Sequence, residues 1–392
     1  MSSAVLERQS WLDGLRASHG LGAAELTLPP SRQEDWRFTD LAPLLQLDPR
    51  GLKPCGSASS AAWPKPQADV VRLQLGADGL SFCLAPGSQP LPDGARLTGV
   101  EPGQASGLPC RLHASVPGPQ LQLALAANAR LRLELWLQPE AAQALLAPRL
   151  RFLLAENAEL ELALRISSSA SSLCLPWIEA ELATGATLVE GQWLQGDEGA
   201  VLMAGSSIRQ QPGSSYSRTA VVQGWALARQ EPQLLQSAGG AETCLRDLAV
   251  LNGTAIADLH SLVRFDGPDG RLDQLQKALV DGRSHSIFNG TVQVPRAAQG
   301  TDAAQLSRHL LLSEQAWVDT KPELEIVADD VRCSHGATVS SLADEELFYL
   351  RSRGIDRPAA TELLRRGFCL EVLNQLPPLA AGWHPWQGSS AR

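Results

Sequence analysis

Leu121-Gln122-Leu123-Ala124-Leu125, then Asn128, then Leu131-Arg132-Leu133-Glu134-Leu135 form the stretch on which the fold turns. Apolar residues alternate with polar or small ones in both runs. Successive side chains of a strand point to opposite faces, so each run reads as a strand with one face buried. Glu159-Leu160-Glu161-Leu162-Ala163-Leu164 repeats the pattern, and Asn128, Asn157, Gly185, Gly191, Gly196 and Gly199 punctuate it as turn residues. Amphipathic helices of ordinary length are scarce from about residue 70 to 338, which predicts one large all-β unit. Leu251-Asn252-Gly253-Thr254-Ala255-Ile256-Ala257 echoes Phe288-Asn289-Gly290-Thr291-Val292-Gln293-Val294. Such an echo fits a β-solenoid, with a pair of β-sandwiches as the alternative architecture.

Helical patterns flank this region. Val5, Leu6, Trp11, Leu12 and Leu15 recur at three- and four-residue spacings until Gly20 and Gly22 interrupt them. Ser31 with Glu34 fits a capping box at the head of Asp35-Trp36-Arg37-Phe38-Thr39-Asp40-Leu41. Residues 51–69, rich in Gly, Ser, Ala and Pro, read as a linker. Beyond the strands, Asp344, Glu345 and Glu346 place negative charge in the first turn of a helix that Gly354 stops. Asp356 caps a second helix, with Pro358 in its first turn and Leu363, Leu364 and Phe368 as its apolar face. Four segments result: an N-terminal helical region and linker (1–69), a strand core (70–338), a helical pair (339–376) and a tail (377–392).

Composition narrows the function classes. With 392 residues and 44% hydrophobic content the chain can fill a large core, which excludes global disorder. A net charge of -9 and the lack of a basic stripe argue against nucleic acid and anionic membranes as partners. Met1-Ser2-Ser3-Ala4-Val5-Leu6-Glu7 has neither the basic nor the apolar region of a signal peptide, and no run of about 18 apolar residues occurs. A soluble cytoplasmic chain is expected. The seven cysteines are scattered singly, without a CxxC, so a disulfide framework is not expected.

Cys333-Ser334-His335-Gly336-Ala337-Thr338-Val339 stands apart. On a strand, residues two apart share a face, so a thiolate ligand and an imidazole ligand project together. The pair suits a soft metal or an iron–sulfur fragment, yet closed sites need four ligands. The rest must come from elsewhere in the chain or from a partner. A ligating His335 would be neutral, with its second nitrogen held by a hydrogen-bond partner; a ligating Cys333 would be a thiolate, which nearby Arg332 favours. The bland reading makes Cys333 a core residue and His335 a satisfied turn residue. Asp35-Trp36 reads as a structural staple.

Several of these stretches carry a resemblance. Lys321-Pro322-Glu323-Leu324-Glu325-Ile326, then Asp329-Asp330-Val331-Arg332-Cys333-Ser334-His335-Gly336-Ala337-Thr338, resembles the SufB/SufD family of iron–sulfur cluster assembly proteins. So do Glu346-Leu347-Phe348-Tyr349-Leu350-Arg351-Ser352-Arg353-Gly354-Ile355 and the N-terminal Glu34-Asp35-Trp36-Arg37-Phe38-Thr39. Gly336, where the SufB branch usually carries Glu, leans toward the SufD branch, while Ser340-Ser341 departs from the Gly of many members. The resemblance implies a mainly β fold, a right-handed parallel β-helix core with helical regions at both ends. It implies a non-enzymatic scaffold that pairs with SufB through β-helix edges and docks the ABC-type ATPase SufC on its C-terminal helices, with a homodimer in isolation as a further assembly. A transient iron–sulfur cluster shared with SufB would form at their interface near Cys333 and His335, and this chain would bind no nucleotide. Leu347, Phe348, Tyr349, Leu350, Arg351 and Arg353 become the ATPase-binding candidates, aromatics and Arg being enriched at interface hot spots.

Other readings are a SufB-type main scaffold, a purely architectural subunit, and a carbohydrate-active β-helix enzyme. For the last, Asp329-Asp330 and Glu345-Glu346 supply paired carboxylates. Adjacent carboxylates on a strand face opposite ways, however, and a glycosidase pair must flank one bond. GxxxxGK[ST], GxSxG and HExxH are all absent from the sequence.

Overall fold

The computed structural model describes residues 3–19, 26–30, 33–54, 69–75, 81–98, 107–138, 142–197 and 199–386. Gln120–Leu125 and Arg130–Leu137 are strands, with Asn128 in the turn between them. They do not pair with each other. Leu121 lies beside Leu150 and Leu131 beside Leu160, each about 30 residues further on, and both ladders are parallel. The pattern repeats along the chain, each coil giving one strand to each of two sheets. The result is a parallel β-solenoid of about 8 turns, not a pair of sandwiches. One sheet ends at Trp317–Ile326 and the other at Arg332–Ser341. Antiparallel pairing among the described residues is confined to the start, where Phe82–Leu84 joins Val70–Leu75 and Ala95–Thr98 joins Gln120–Leu125.

The repeat is written at one corner of the coil. Asn128, Asn157, Gly185, Gly213, Gly240, Asp269 and Gly300 all have φ between 55° and 72°. Each donates its N–H to a carbonyl one coil on, at 2.7–3.2 Å. Left-handed backbone is cheap for Gly and tolerated by Asn and Asp, so these residue types recur where the chain turns from the first sheet to the second. The echo between Asn252-Gly253 and Asn289-Gly290 is not this repeat. Asn252-Gly253 forms a turn against Gly282, whereas Asn289-Gly290 lies mid-strand beside His260 and Ser261. The solenoid reading holds although that support for it does not.

Alternate residues fill the coil. Leu160, Leu162, Leu164 and Ile166 of Glu159–Ser167 enter the interior with Leu150, Phe152 and Leu154 from the facing sheet, all nearly inaccessible to solvent. The outer faces are covered from the two ends of the chain. α1 (Ser3–His19) and α2 (Ala42–Gln46) bury Trp11, Leu12, Leu15 and Leu44, and the Trp11 indole N–H donates to the Leu47 carbonyl at 3.0 Å. With Leu108 and Leu112 of α3 (Leu108–Ala114), this layer packs on Val201, Leu227, Ile256 and Ile287 of the first sheet. Between α1 and α2 the described residues form a single 3-10 turn, Glu34–Trp36, with Gln33 at its N-cap and no side-chain cap. Ser31 of the expected capping box, Gly20 and Gly22, and residues 55–68 of the expected linker lie outside the described residues. Lys53-Pro54 pairs in parallel with Ala144–Leu146.

α4 (Asp344–Ser352) and α5 (Arg357–Leu373) follow the last strand. The Asp356 side chain caps α5 by accepting from the Ala359 N–H at 2.8 Å. α5 covers the outer face of the second sheet, but through Cys369, Val372 and Leu373 set on Val221, Leu248 and Leu275. Leu363, expected on the buried face, is 50% exposed, whereas Phe368 packs against this cluster and also receives the Lys277 ammonium 3.9 Å from its ring centre. The segment after Pro377 is docked as far as it is described. Leu379 and Ala380 are buried, and Trp383 meets Trp193 edge-on at 6.2 Å. Residues 387–392 lie outside the described set. None of the described helices is long and apolar enough to cross a membrane.

Candidate functional site at the open end of the coil

Arg332–Ser341 is the last strand of the second sheet and, among the described residues, pairs only with Asp302–Leu311. Cys333 lies beside Ala303 and His335 beside Gln305. Ala303 and Gln305 are 2% and 3% exposed and point into the coil, so Cys333 and His335 share the inward face, as the spacing predicts. Nothing further stacks on this coil among the described residues. Residues that would be interior elsewhere are therefore open, with Ile326 40% and Val339 46% exposed and His335 exposed.

Cys333 is half-buried against the interior cluster, and that burial pushes its thiol up, with a backbone hydrogen bond from Ala303 acting the other way. Arg332 takes no part, because neighbouring strand residues point to opposite faces. Among the described residues, no third His, Cys, Asp or Glu joins the two into a metal-binding group. The chain itself thus offers one sulfur and one nitrogen donor at the mouth of the coil.

Below His335 runs a column of inward residues: Gln305, Gln274, Leu245, Arg218 and Glu190 in successive coils. Gln305 Nε2 donates to Gln274 Oε1 at 3.0 Å, and Gln274 Nε2 to Ser261 Oγ at 2.9 Å. Deeper, Arg218 pairs with Asp247, while Glu190 accepts from the Tyr216 hydroxyl at 2.9 Å and from Gln192 Nε2 at 2.7 Å. Full burial holds the Glu190 carboxyl above the usual carboxylate range. Beside this column, Ser307 Oγ lies 2.7 Å from His309 Nε2, and burial pushes His309 down to about 4. Neither Gln305 nor Gln274 draws notice in the sequence. The only signal for them is register, about one and two coils before His335.

The N-terminal motif is elsewhere. Trp36 lies under the Arg229 guanidinium, 3.6 Å from its ring centre, on the outer face of the first sheet. Arg229 pairs with Asp258 and with Glu231, and donates to the Asp35 carbonyl at 3.0 Å. Thr39 Oγ1 donates to Asp258 at 2.5 Å, and Glu34 meets Lys321 at 2.7 Å. This arrangement pins the N-terminal layer to the coil. On α4, Leu347 is buried, whereas Phe348 and Tyr349 are 73% and 58% exposed, with the Arg353 guanidinium 5.3 Å from the Tyr349 ring centre. Leu350 is half-buried, and Arg351 and Arg353 are exposed. The paired carboxylates form no common site: Asp329-Asp330 sits in the turn before the last strand and Glu345-Glu346 in the first turn of α4.

Residues 137–368 match the domain family described as SUF system FeS cluster assembly, SufBD core domain. The iron-sulfur cluster assembly SufBD family protein slr0076 of Synechocystis is 43% identical over 175 residues, 45% of this chain and 39% of that protein. SufD of Escherichia coli is 46% identical over 103 residues, 26% of this chain and 24% of that protein. SufD of Bacillus subtilis is 40% identical over 103 residues, with shares of 26% and 24%. The matched stretches thus span less than half the length of these relatives. Most of the strand coil and the Cys333–His335 face lie within the family match, which covers more than half of the sequence. The chain belongs to the SufBD family of iron–sulfur cluster assembly proteins.

Proposed function

We propose that this chain is a SufD-type scaffold subunit that pairs with SufB at the open end of its coil and docks the ATPase SufC on α4. A nascent cluster is the cargo. Cys333 and His335 supply part of its ligand set, and the partner supplies the remainder. One observation carries the reading: a thiol and an imidazole stand on one inward face at the uncovered end, with no third ligand beside them among the described residues. Two donors cannot close a four-ligand site, so such a face makes chemical sense where two chains meet. The final strands add two unpaired sheet edges, which take up another strand through main-chain hydrogen bonds. The scaffold itself performs no bond-making chemistry in this reading, and it acts in the cytoplasm. In isolation, a second copy of the chain occupies the same edges. Nucleotide-driven movement of the ATPase, passed through residues 341–376, reshapes the shared face and exposes its ligands.

The test is the iron and acid-labile sulfide content of the complex, co-expressed with its partners and purified without oxygen, for wild type and His335→Ala. The expected outcome is an intact complex that has lost its iron and sulfide. Unchanged iron and sulfide in the intact variant would make His335 structural and the chain purely architectural.

A further inference from the structure

We infer that Gln305 is a positioning residue for His335: its side-chain carbonyl accepts one imidazole N–H and leaves the other ring nitrogen unprotonated, directed at the open mouth. The inference rests on the proposed role of His335 and goes beyond it.

The argument begins with the direction of the amide ladder. Gln305 donates down the column to Gln274, and Gln274 donates to Ser261 on the facing sheet. When every amide gives its N–H toward the interior, the last one keeps its carbonyl oxygen. Gln305 is 3% exposed, and its Oε1 is buried without a hydrogen-bond partner among the described residues. A buried acceptor left unsatisfied destabilises the fold, so such atoms call for an explanation. The next residue on the same inward column is His335, one strand spacing away. Strands in a sheet lie about 4.8 Å apart, a gap that the Gln305–Gln274 hydrogen bond already bridges one coil down. An imidazole N–H is the donor the orphaned oxygen lacks.

Space for this amide is built into the opposite wall. A Cβ at Gly290 would stand 2.4 Å from Gln305 Nε2 and 2.6 Å from the Phe288 ring, so only glycine there leaves the amide its place. Gln274, itself anchored on Ser261, and the Gly290 backbone thus hold Gln305, and the acceptor is fixed before any metal arrives.

The consequence is chemical. A neutral imidazole exists as two tautomers, and the one present is set by the hydrogen bond that the other nitrogen makes. Fixing it turns a rotating side chain into an oriented nitrogen donor, and partners of this kind are worth roughly 10–100-fold in metal affinity.

The test reads the tautomer directly on the metal-free full-length chain. Histidine is labelled with nitrogen-15 and the ring-nitrogen shifts are recorded about two units above the ordinary imidazole value of ~6.5. The His335 signals are those missing from His335→Ala. In wild type the two nitrogens should be widely separated, one protonated and one bare. In Gln305→Leu they should converge as both tautomers become populated. In Gln305→Glu the separation should persist, because a carboxylate accepts the same hydrogen bond. Converged shifts in wild type overturn the inference even if Gln305→Leu fails to fold, and so does a Gln305→Leu spectrum identical to wild type. The readout needs neither cluster nor partner, so it can fail while cluster assembly still depends on His335, and the reverse.

Discussion

Arg229 is nearly inaccessible to solvent and is held from four directions, by Trp36, Asp258, Glu231 and the Asp35 carbonyl. Removing one member of a buried ion pair strands the other, at a cost of roughly 3–5 kcal/mol. Arg229→Ala should therefore lower the unfolding free energy by an amount of that order, read as a lower urea midpoint, and protease should then cut the N-terminal layer before the coil. The staple role of Asp35-Trp36 was legible in the motif. Its partners were not, because Arg229 and Asp258 lie some 200 residues away in the chain. A second prediction concerns Glu190, whose carboxyl is held above its ordinary value of 4.5 by burial. The folded state then keeps this proton at pH values where the unfolded chain has lost it. Stability from this group is fully present below about 4.5 and is lost as pH rises through the higher folded value. Urea midpoints of wild type should fall relative to Glu190→Gln as pH is raised from 4.5 toward 8, and parallel curves would exclude it.

Among the elements, α4 and α5 divide their labour. α5 is tied to the second sheet by Cys369, Val372 and Leu373, by Glu371 with Lys277 at 2.7 Å, and by Thr219 Oγ1 donating to the Gln375 carbonyl at 2.9 Å. α4 presents Phe348 and Tyr349 to solvent. Under the proposed docking, Phe348→Ala and Tyr349→Ala should leave the melting temperature unchanged and weaken ATPase binding by about 2 kcal/mol each, a calorimetric titration being the check. Leu347→Ala should do the opposite, lowering the melting temperature through a cavity. Sequence periodicity found both helices but only part of the face that α5 buries, Phe368 packing on the sheet and Leu363 not. That choice belongs to the sheet beneath, whose outward residues Val221, Leu248 and Leu275 come from three different coils. The alternation of Leu121–Leu135 was enough for strands, and the corner residues Asn128, Asn157 and Gly185 were visible as turns. The signature they form is a conformation shared by Asn, Gly and Asp, which a search for identical letters passes over in favour of the Asn-Gly echo.

For the whole molecule, stability should grade along the coil axis. Each coil touches only its neighbours, as in other repeat folds, and the last one has a neighbour on one side alone. Amide hydrogen exchange should be slowest in strands such as Ser215–Gln223, Glu242–Leu251 and Ile256–Phe265, and faster in residues 317–341, which a bound partner should then slow. Equal protection at both places in the isolated chain would contradict the graded picture. The Cys333–His335 pair was legible because strand geometry is local. The polar column beneath it was not, since its members are spaced by whole coils.

That spacing has a consequence for how such sequences change. Side chains alternate sides at every residue, so losing Arg332, with the turn before it held in place, would turn Ser334 and Gly336 inward and carry Cys333 and His335 to the outer wall. The same deletion in the turn at 327–331 could be absorbed without moving either residue. Substitutions at the mouth are therefore mild events beside frame slips within its strand. In this lineage, length variation should collect at the corners and be nearly barred from the rungs, and an alignment that places a gap at position 332 misplaces Cys333 and His335 at once.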